Sequence, residues 1–260
     1  MSTALITGAS AGLGEQFAGL FAKDGHDVIL VARNGARLEA IAERLRINKV
    51  RTYVVAEDLS KPGASARLHA RVKELNVSVD FLVNNAGFGS NGAFLDLPLE
   101  REVEMVELNC VTLMELCHRF GRDMRERKSG KILNIASTAG FQPGPFMATY
   151  YATKAFVVSF SEALAFELKD SGVTVTCHCP GATATEFAKT SGNDKSRLFQ
   201  RSSGIAKAED VAEDAYRAML EGDVIAVHGW MNWFGWQGLR VSPRAMIRSM
   251  VAAINSAPEK

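Results

Sequence analysis

Charge of one sign is missing from this chain: 30 basic residues stand against 29 acidic, for a formal charge of +1. Such a balance gives no electrostatic footprint for nucleic acid or an anionic membrane, and nucleic acid is not an expected partner. Long hydrophobic runs are missing too. The amino terminus enters TALITGAS without the basic region and apolar core of a leader, and no apolar run reaches the roughly 20 residues that span a bilayer. A cytoplasmic protein without a transmembrane segment is expected. Cysteine is sparse: Cys110 and Cys117 share a helical stripe, Cys177 and Cys179 alternate along a strand, and neither pair has metal-ligand or redox spacing. All four read as buried thiols. The histidines, at 26, 69, 118, 178 and 228, are scattered, so no metal site is expected despite Cys177-His178-Cys179. No self-similarity appears at a period of roughly 20 to 50 residues, which excludes a repeat architecture.

What is present is the material of one sizeable core, with 47% apolar and 23% charged residues over a length that α/β folds fill as a single unit. Short β-branched runs recur at ALIT (from Ala4), VILV (Val28), YVVA (Tyr53), FLV (Phe81), ILNI (Ile132), VTVTC (Val173) and VIAV (Val224). Each reads as a strand buried on both faces. Between them lie helix-period segments, such as Val103, Val106, Cys110, Leu113, Cys117, Phe120 and Met124 in one apolar stripe. Strict alternation predicts a single domain over 1–260, a doubly wound parallel sheet of about seven strands with helices on both faces and ligands beyond the carboxyl ends of the strands. Two stretches break the rhythm: 182–206, which has no strong period, and the carboxyl-terminal 228–260, which holds Trp230, Trp233 and Trp236.

Strand one runs out into Thr7-Gly8-Ala9-Ser10-Ala11-Gly12-Leu13-Gly14. Glycines at a strand-to-helix turn let main-chain N–H groups approach a pyrophosphate, and the helix N-terminus adds favourable partial charge. The spacing is G-x-x-x-G-x-G, with no Lys-Ser/Thr to make the P-loop of a phosphotransferase. At the end of strand two stands Ala32-Arg33-Asn34, with no carboxylate for ribose hydroxyls. An arginine there suits a 2′-phosphate through its planar fork of donors; the competing reading is a surface-turn cap.

With TGASAGLG at 7–14, NNAG at 84–87, Asn109, Ser137, Tyr150-x-x-x-Lys154 and Pro180-Gly181, the chain resembles the classical short-chain dehydrogenase/reductase family, in its NADP-preferring type. The resemblance runs from residue 2 to about Val227 and implies a Rossmann fold, NADP as cofactor and a homodimer or homotetramer formed through helices at 101–127 and 150–169. It further implies a cofactor site of Gly8, Ser10, Ala11, Gly12, Leu13, Gly14, Arg33, Asp58, Leu59, Asn85, Ala86, Gly87, Tyr150, Lys154, Pro180 and Gly181. In it Asp58 accepts from the adenine amino group, Asn84 to Gly87 flank the cofactor, and Thr185 or its nearer competitor Thr183 meets the nicotinamide amide. Asn109, Ser137, Tyr150 and Lys154 are the implied catalytic set.

The chemistry of those residues is coherent. A carbonyl that takes hydride develops negative charge on oxygen, so a proton donor must stand within reach. Tyr150 serves as acid in reduction and base in oxidation if Lys154, one helical turn away, favours the phenolate. Ser137 holds the substrate oxygen, and Asn109 is implied to anchor a water that relays protons from Lys154. Helix geometry alone lets either Tyr150 or Tyr151 share a face with Lys154; the family's spacing selects Tyr150. On the substrate side, Phe141 and Phe146, and the Phe187, Leu198, Phe199 and Ile205 of a lid at 182–206, predict an apolar wall. A hydrophobic or acyl-bearing carbonyl compound follows, and Lys189, Lys195, Arg197 and Arg201 offer charges to a phosphorylated carrier or simply solvate the lid. The tryptophan segment is open to three readings: closure over substrate, a subunit contact or a membrane surface. The expected function is an NADP(H)-dependent carbonyl reductase or alcohol dehydrogenase; the alternative is a dinucleotide-binding regulatory module without turnover.

Overall fold

The computed structural model describes residues 2–193, 196–197 and 205–256. Seven strands form one parallel sheet: β1 (Thr3–Thr7), β2 (Asp27–Ala32), β3 (Thr52–Ala56), β4 (Phe81–Asn84), β5 (Gly130–Ile135), β6 (Val173–Cys179) and β9 (Ile225–Val227). Their order is β3-β2-β1-β4-β5-β6-β9, so the chain reverses direction across the sheet between β1 and β4. A crevice at the carboxyl ends of those two strands is the consequence.

Side-chain alternation divides the core between the two faces of the sheet. Ala4 and Ile6 of β1 join Phe17, Phe21, Leu38 and Tyr216 beneath α1 (Gly12–Lys23), α2 (Gly35–Leu45) and α8 (Ala208–Glu221). Leu5 joins Leu68, Phe120 and Val157 beneath α3 (Ala64–Glu74), α5 (Leu113–Arg127) and α6 (Ala148–Leu168). The central strands β1 and β4 are buried throughout, whereas β3, an edge, leaves Thr52, Tyr53 and Val54 half-buried, so burial on both faces does not extend to it.

The apolar stripe expected from Val103 to Met124 is broken. Between α4 (Leu99–Val106) and α5, residues Glu107–Thr112 form a π-helical turn, whose extra residue rotates everything before it relative to everything after. Val103 and Val106 are therefore exposed, and Glu102 and Met105 face inward instead. Glu102 accepts a hydrogen bond from Ser90 at 2.5 Å.

The 182–206 excursion is pinched at its base by a short parallel ladder, β7 (Thr183–Ala184) with β8 (Ala206–Lys207), and carries α7 (Phe187–Thr190). Lys195, Leu198, Phe199 and Arg201 lie outside the described residues. After β9 come two helices, α9 (Trp230–Leu239) and α10 (Arg244–Asn255). All four cysteines are free and buried. The scatter of histidines along the chain does not survive folding: His178 of β6 and His228 after β9 meet at Asp214 of α8, with ring nitrogens 3.1 and 3.0 Å from its Oδ2. Arg217 donates to the other oxygen of that carboxylate at 2.7 Å. Spacing in sequence was therefore no argument about which histidines converge. Among the described residues no helix is long and apolar enough to cross a membrane.

Candidate active site

A cavity of about 760 Å³ opens at the carboxyl ends of the strands. Its lining includes every candidate site residue except Gly14, Asn84 and Asn109. These three act beneath the surface. A Cβ on Gly14 would lie 2.1 Å from the Gly8 carbonyl oxygen, so its bare Cα lets α1 close against the turn after β1. Asn84 donates to Asn134 at 2.9 Å and ties β4 to β5.

The glycine turn fits a dinucleotide. Gly8 and Gly12 have φ of +66° and +55°, the left-handed region that turns N–H groups toward one side. Thr7 steadies the turn: its hydroxyl accepts from Asn85 N and Ala86 N, each at 3.0 Å. Nearby, Arg33 is exposed and Asn34 caps α2 by accepting from Arg37 N, so the capping task falls to Asn34 and not to Arg33. Asp58 is pushed up by burial, but hydrogen bonds from Ser60 and the charges of Arg33 and Lys61 hold it below the usual carboxylate range. A positive group, a fixed carboxylate and a main-chain cradle in one cleft are the donor and acceptor set that an adenine ribonucleotide with an extra phosphate requires. Across this cleft Arg37 pairs with Glu186, donating to both carboxylate oxygens at 3.2 and 3.0 Å, while Thr185 lies against Gly12.

The catalytic candidates meet where β5, α6 and the π-turn converge. Ser137 follows β5; its hydroxyl caps the next turn by accepting from Ala139 N at 3.1 Å, and donates to Pro180 O at 3.4 Å. Burial raises the Tyr150 phenol above its usual value, with the Ser137 hydroxyl pulling the other way. The lowering expected from Lys154 is not among the influences on this phenol, and burial keeps its proton on. Lys154 donates to the Ile135 carbonyl at 2.7 Å and is brought down to about 8 by burial. Its Nζ lies 5.8 Å from the centre of the Tyr150 ring. Asn109 donates to Phe88 O at 2.9 Å and to Thr153 at 3.1 Å, and accepts from Phe88 N at 3.2 Å. Its side chain is wholly engaged. Tyr151 turns elsewhere and donates to Asn255 Oδ1 at 3.2 Å. Thr183 and Thr185 both line the cavity.

The apolar wall is real but differently built. Phe146 sits at φ +67° and is exposed, and Phe141 leaves the lining to stack on Trp236 at 4.9 Å. Phe187 lines the cavity as expected and Ile205 does not; Leu108, Met147, Val251 and Ile254 complete the wall, the last two on α10. Sequence reasoning missed α10 because its apolar spacing at Ile247, Val251 and Ile254 carries no chemistry and points to no partner. Gln142, Asn193 and Asn232 supply polar lining, and Lys189 and Arg197 are exposed on the excursion.

Residues 2–196 match the family model described as short chain dehydrogenase. Among curated proteins, the very-long-chain 3-oxoacyl-CoA reductase of Pyrenophora tritici-repentis is 31% identical over 244 residues, 89% of this chain and 70% of that one. The chain spans only 52% of the length of the like-named protein of Laccaria bicolor, at 38% identity over 66% of this chain. Among solved structures, a short-chain dehydrogenase from Sphingobium yanoikuyae in complex with NADPH superimposes with a TM-score of 0.83 at 33% identity, covering 92% of this chain and 94% of that one.

Proposed function

Because the chain belongs to the short-chain dehydrogenase/reductase family and is an oxidoreductase, we propose that it reduces a hydrophobic or acyl-bearing carbonyl compound with NADPH. The observation that carries this reading is that Tyr150, Ser137 and Lys154 line one continuous cavity with the glycine turn, Arg33 and Asp58.

Gly8, Ser10 to Leu13 and Asn85 to Gly87 hold the dinucleotide, Arg33 takes the 2′-phosphate, Asp58 the adenine, and Thr183 or Thr185 the nicotinamide amide. When bound, the cofactor supplies a hydride to the carbonyl carbon or takes one from the carbinol. Tyr150 donates its phenolic proton to the oxygen as charge develops there, and Ser137 donates a second hydrogen bond to the same oxygen. Lys154, ionised below about pH 8, favours the phenolate that remains. Asn109, within the π-turn, anchors a water that relays protons from Lys154. The 182–206 excursion is the lid, latched by Glu186 on Arg37. Exposed Val103, Met114, Phe156 and Phe166 on α4, α5 and α6 supply a face for a homodimer or homotetramer.

The apolar wall favours long alkyl or acyl groups, in keeping with the names of the fungal relatives. The test is NADPH oxidation against ketones and β-ketoacyl thioesters of graded chain length. kcat/KM should rise with each methylene by up to about 0.8 kcal/mol until the pocket is full. A flat response, with preference for polyhydroxylated compounds, would overturn the substrate class.

A further inference from the structure

We propose that α9 and α10 form a docking surface for the interfacial zone of an anionic phospholipid bilayer. The sequence of α9, WMNWFGWQGL, is apolar nearly all round. Its inner side is accounted for: Trp236 stacks on Phe141, Leu239 packs on the cluster around Tyr150 and Tyr151, and Asn232 donates to the His228 carbonyl at 2.8 Å. At about 100° per residue, Trp230, Met231, Trp233 and Phe234 occupy the other side. There Trp230 is 73% and Phe234 63% exposed. A helix of this kind ordinarily has apolar surroundings on both sides, and here the described residues supply only one. Helix α10, which follows it, buries Ile247 and Val251 and leaves Met246 and Met250 exposed.

Charge identifies the occupant. Residues 224–260 contain Arg240, Arg244, Arg248 and Lys260 against a single acid, Glu259, although 29 of the chain's 260 residues are acidic. All three arginines are exposed. The near-zero net charge of the whole chain conceals this segregation; the nearest acids before it, Glu221 and Asp223, precede β9 and so lie at its opposite end. Indole rings with a polar edge at headgroup level, and cations among phosphates, are what a bilayer interface accepts. A second copy of the chain fits less well. Two-fold pairing lays the patch on itself, arginine toward arginine with no acid among its described residues to answer. The face on α4 to α6, where Glu100 stands near exposed Val103 and Glu104 pairs with Lys61, has the mixed charge that self-association needs. With α9 and α10 at the lipid, a single helix separates bilayer from pocket wall; that consequence, unlike the docking itself, rests on the apolar-substrate reading.

Flotation of the purified full chain with vesicles tests this, using phosphatidylcholine alone and phosphatidylcholine mixed with phosphatidylserine. The protein should float with the mixed vesicles. The triple variant Arg240→Gln, Arg244→Gln, Arg248→Gln should bind them about 100-fold more weakly, near fivefold for each charge. The double variant Trp230→Ser, Phe234→Ser should lose binding to the mixed vesicles altogether. Unchanged melting curves show that the variants are folded, and no readout depends on turnover, so this inference and the reductase reading fail separately. Wild-type protein that stays unbound with both lipids, or binding untouched by either variant, overturns the proposal. So does a shift from dimer to monomer in lipid-free sedimentation of the double variant, which would assign the face to a second copy.

Discussion

The two halves of the cavity are built on different principles. The dinucleotide half is made of strand ends and the turns that follow them: Gly8 to Leu13 after β1, Arg33 after β2, Asp58 after β3, Asn85 to Gly87 after β4. Each piece is a few contiguous residues whose position follows from the strand before it. The substrate half joins the start of α6, the α7 excursion and α10, separated by up to 104 residues between Tyr151 and its partner Asn255. There the wall depends on where remote helices come to rest, and it can vary without disturbing the sheet. On the reading proposed above, cofactor binding falls to the rigid half and selectivity to the half that the sheet does not dictate.

Tyr150 stands where the two halves meet, and its removal is the largest effect expected. Tyr150→Phe should lower kcat by roughly 10²–10⁴-fold, the usual share of a positioned acid, while NADPH still binds. Single-turnover kinetics beside a cofactor titration separates the two; loss of cofactor binding in parallel with rate would make Tyr150 a structural residue of both halves. Next comes Arg33, which sharpens the definition of the first half. Arg33→Ala should weaken NADP(H) by about 1.5–3 kcal/mol, the range for hydrogen bonds to charged groups, and leave NAD(H) nearly unchanged. Equal losses for the two coenzymes would sink the 2′-phosphate assignment.

The same division explains what could be read from the sequence. The seven strands and the cavity at their carboxyl ends were legible because a run such as VILV has only one way to be buried in a parallel sheet. Gly14 was legible as a necessary glycine but not as a packing one, since only the Gly8 carbonyl at 2.1 Å from its absent Cβ distinguishes these roles. The π-turn at Glu107–Thr112 was not legible at all: a single extra residue leaves the 3–4 spacing plausible on either side, and the stripe through Val103 and Val106 looked continuous. Phe146 was assigned to the wall by its hydrophobicity, which a left-handed backbone at φ +67° overrode by pointing it outward. The meeting of His178 and His228 is a tertiary fact with no local sign.

That histidine cluster gives the third prediction, away from both halves. Hydrogen bonding from His178 holds Asp214 well below the usual carboxylate range; burial opposes it, and His228 and Arg217 assist. Burial pushes His178 down despite its bond to Asp214, so it is neutral when folded. A depressed carboxylate contributes stability that is present above its unfolded pKa, near 3.9, and lost as pH falls through that region toward the folded value. A depressed imidazole acts in the same direction, because the unfolded chain takes up its proton first, near pH 6.5. Melting temperature should therefore fall in two stages on acidification, beginning near pH 6.5 and steepening below about 4. Asp214→Asn should cost about 1.5–2 kcal/mol at neutral pH and flatten the lower stage. An acid limb of unchanged slope in the variant would show that other carboxylates govern it.

The smallest effect expected tests the comparison most finely. Tyr151 lies one residue from Tyr150, and Lys154 is within helical reach of both. Their surroundings separate them: Tyr150 lines the cavity with Ser137 and packs on Phe187, whereas Tyr151 packs its ring against Gly144, where a Cβ would fall 2.1 Å from Cγ, and donates to Asn255 on α10. Asn255 in turn donates to Pro145 O at 3.0 Å and accepts from Asn91 at 3.1 Å through its main chain, so it is held without the phenol. Tyr151→Phe should therefore cost about 1 kcal/mol of stability, the worth of one neutral hydrogen bond, leave kcat nearly unchanged and shift KM slightly through the position of α10. Steady-state kinetics on the two purified phenylalanine variants decides the matter. A large fall in kcat for Tyr151→Phe beside a small one for Tyr150→Phe would place the acid on the wrong tyrosine, and with it the boundary between the half of the cavity that does chemistry and the half that selects.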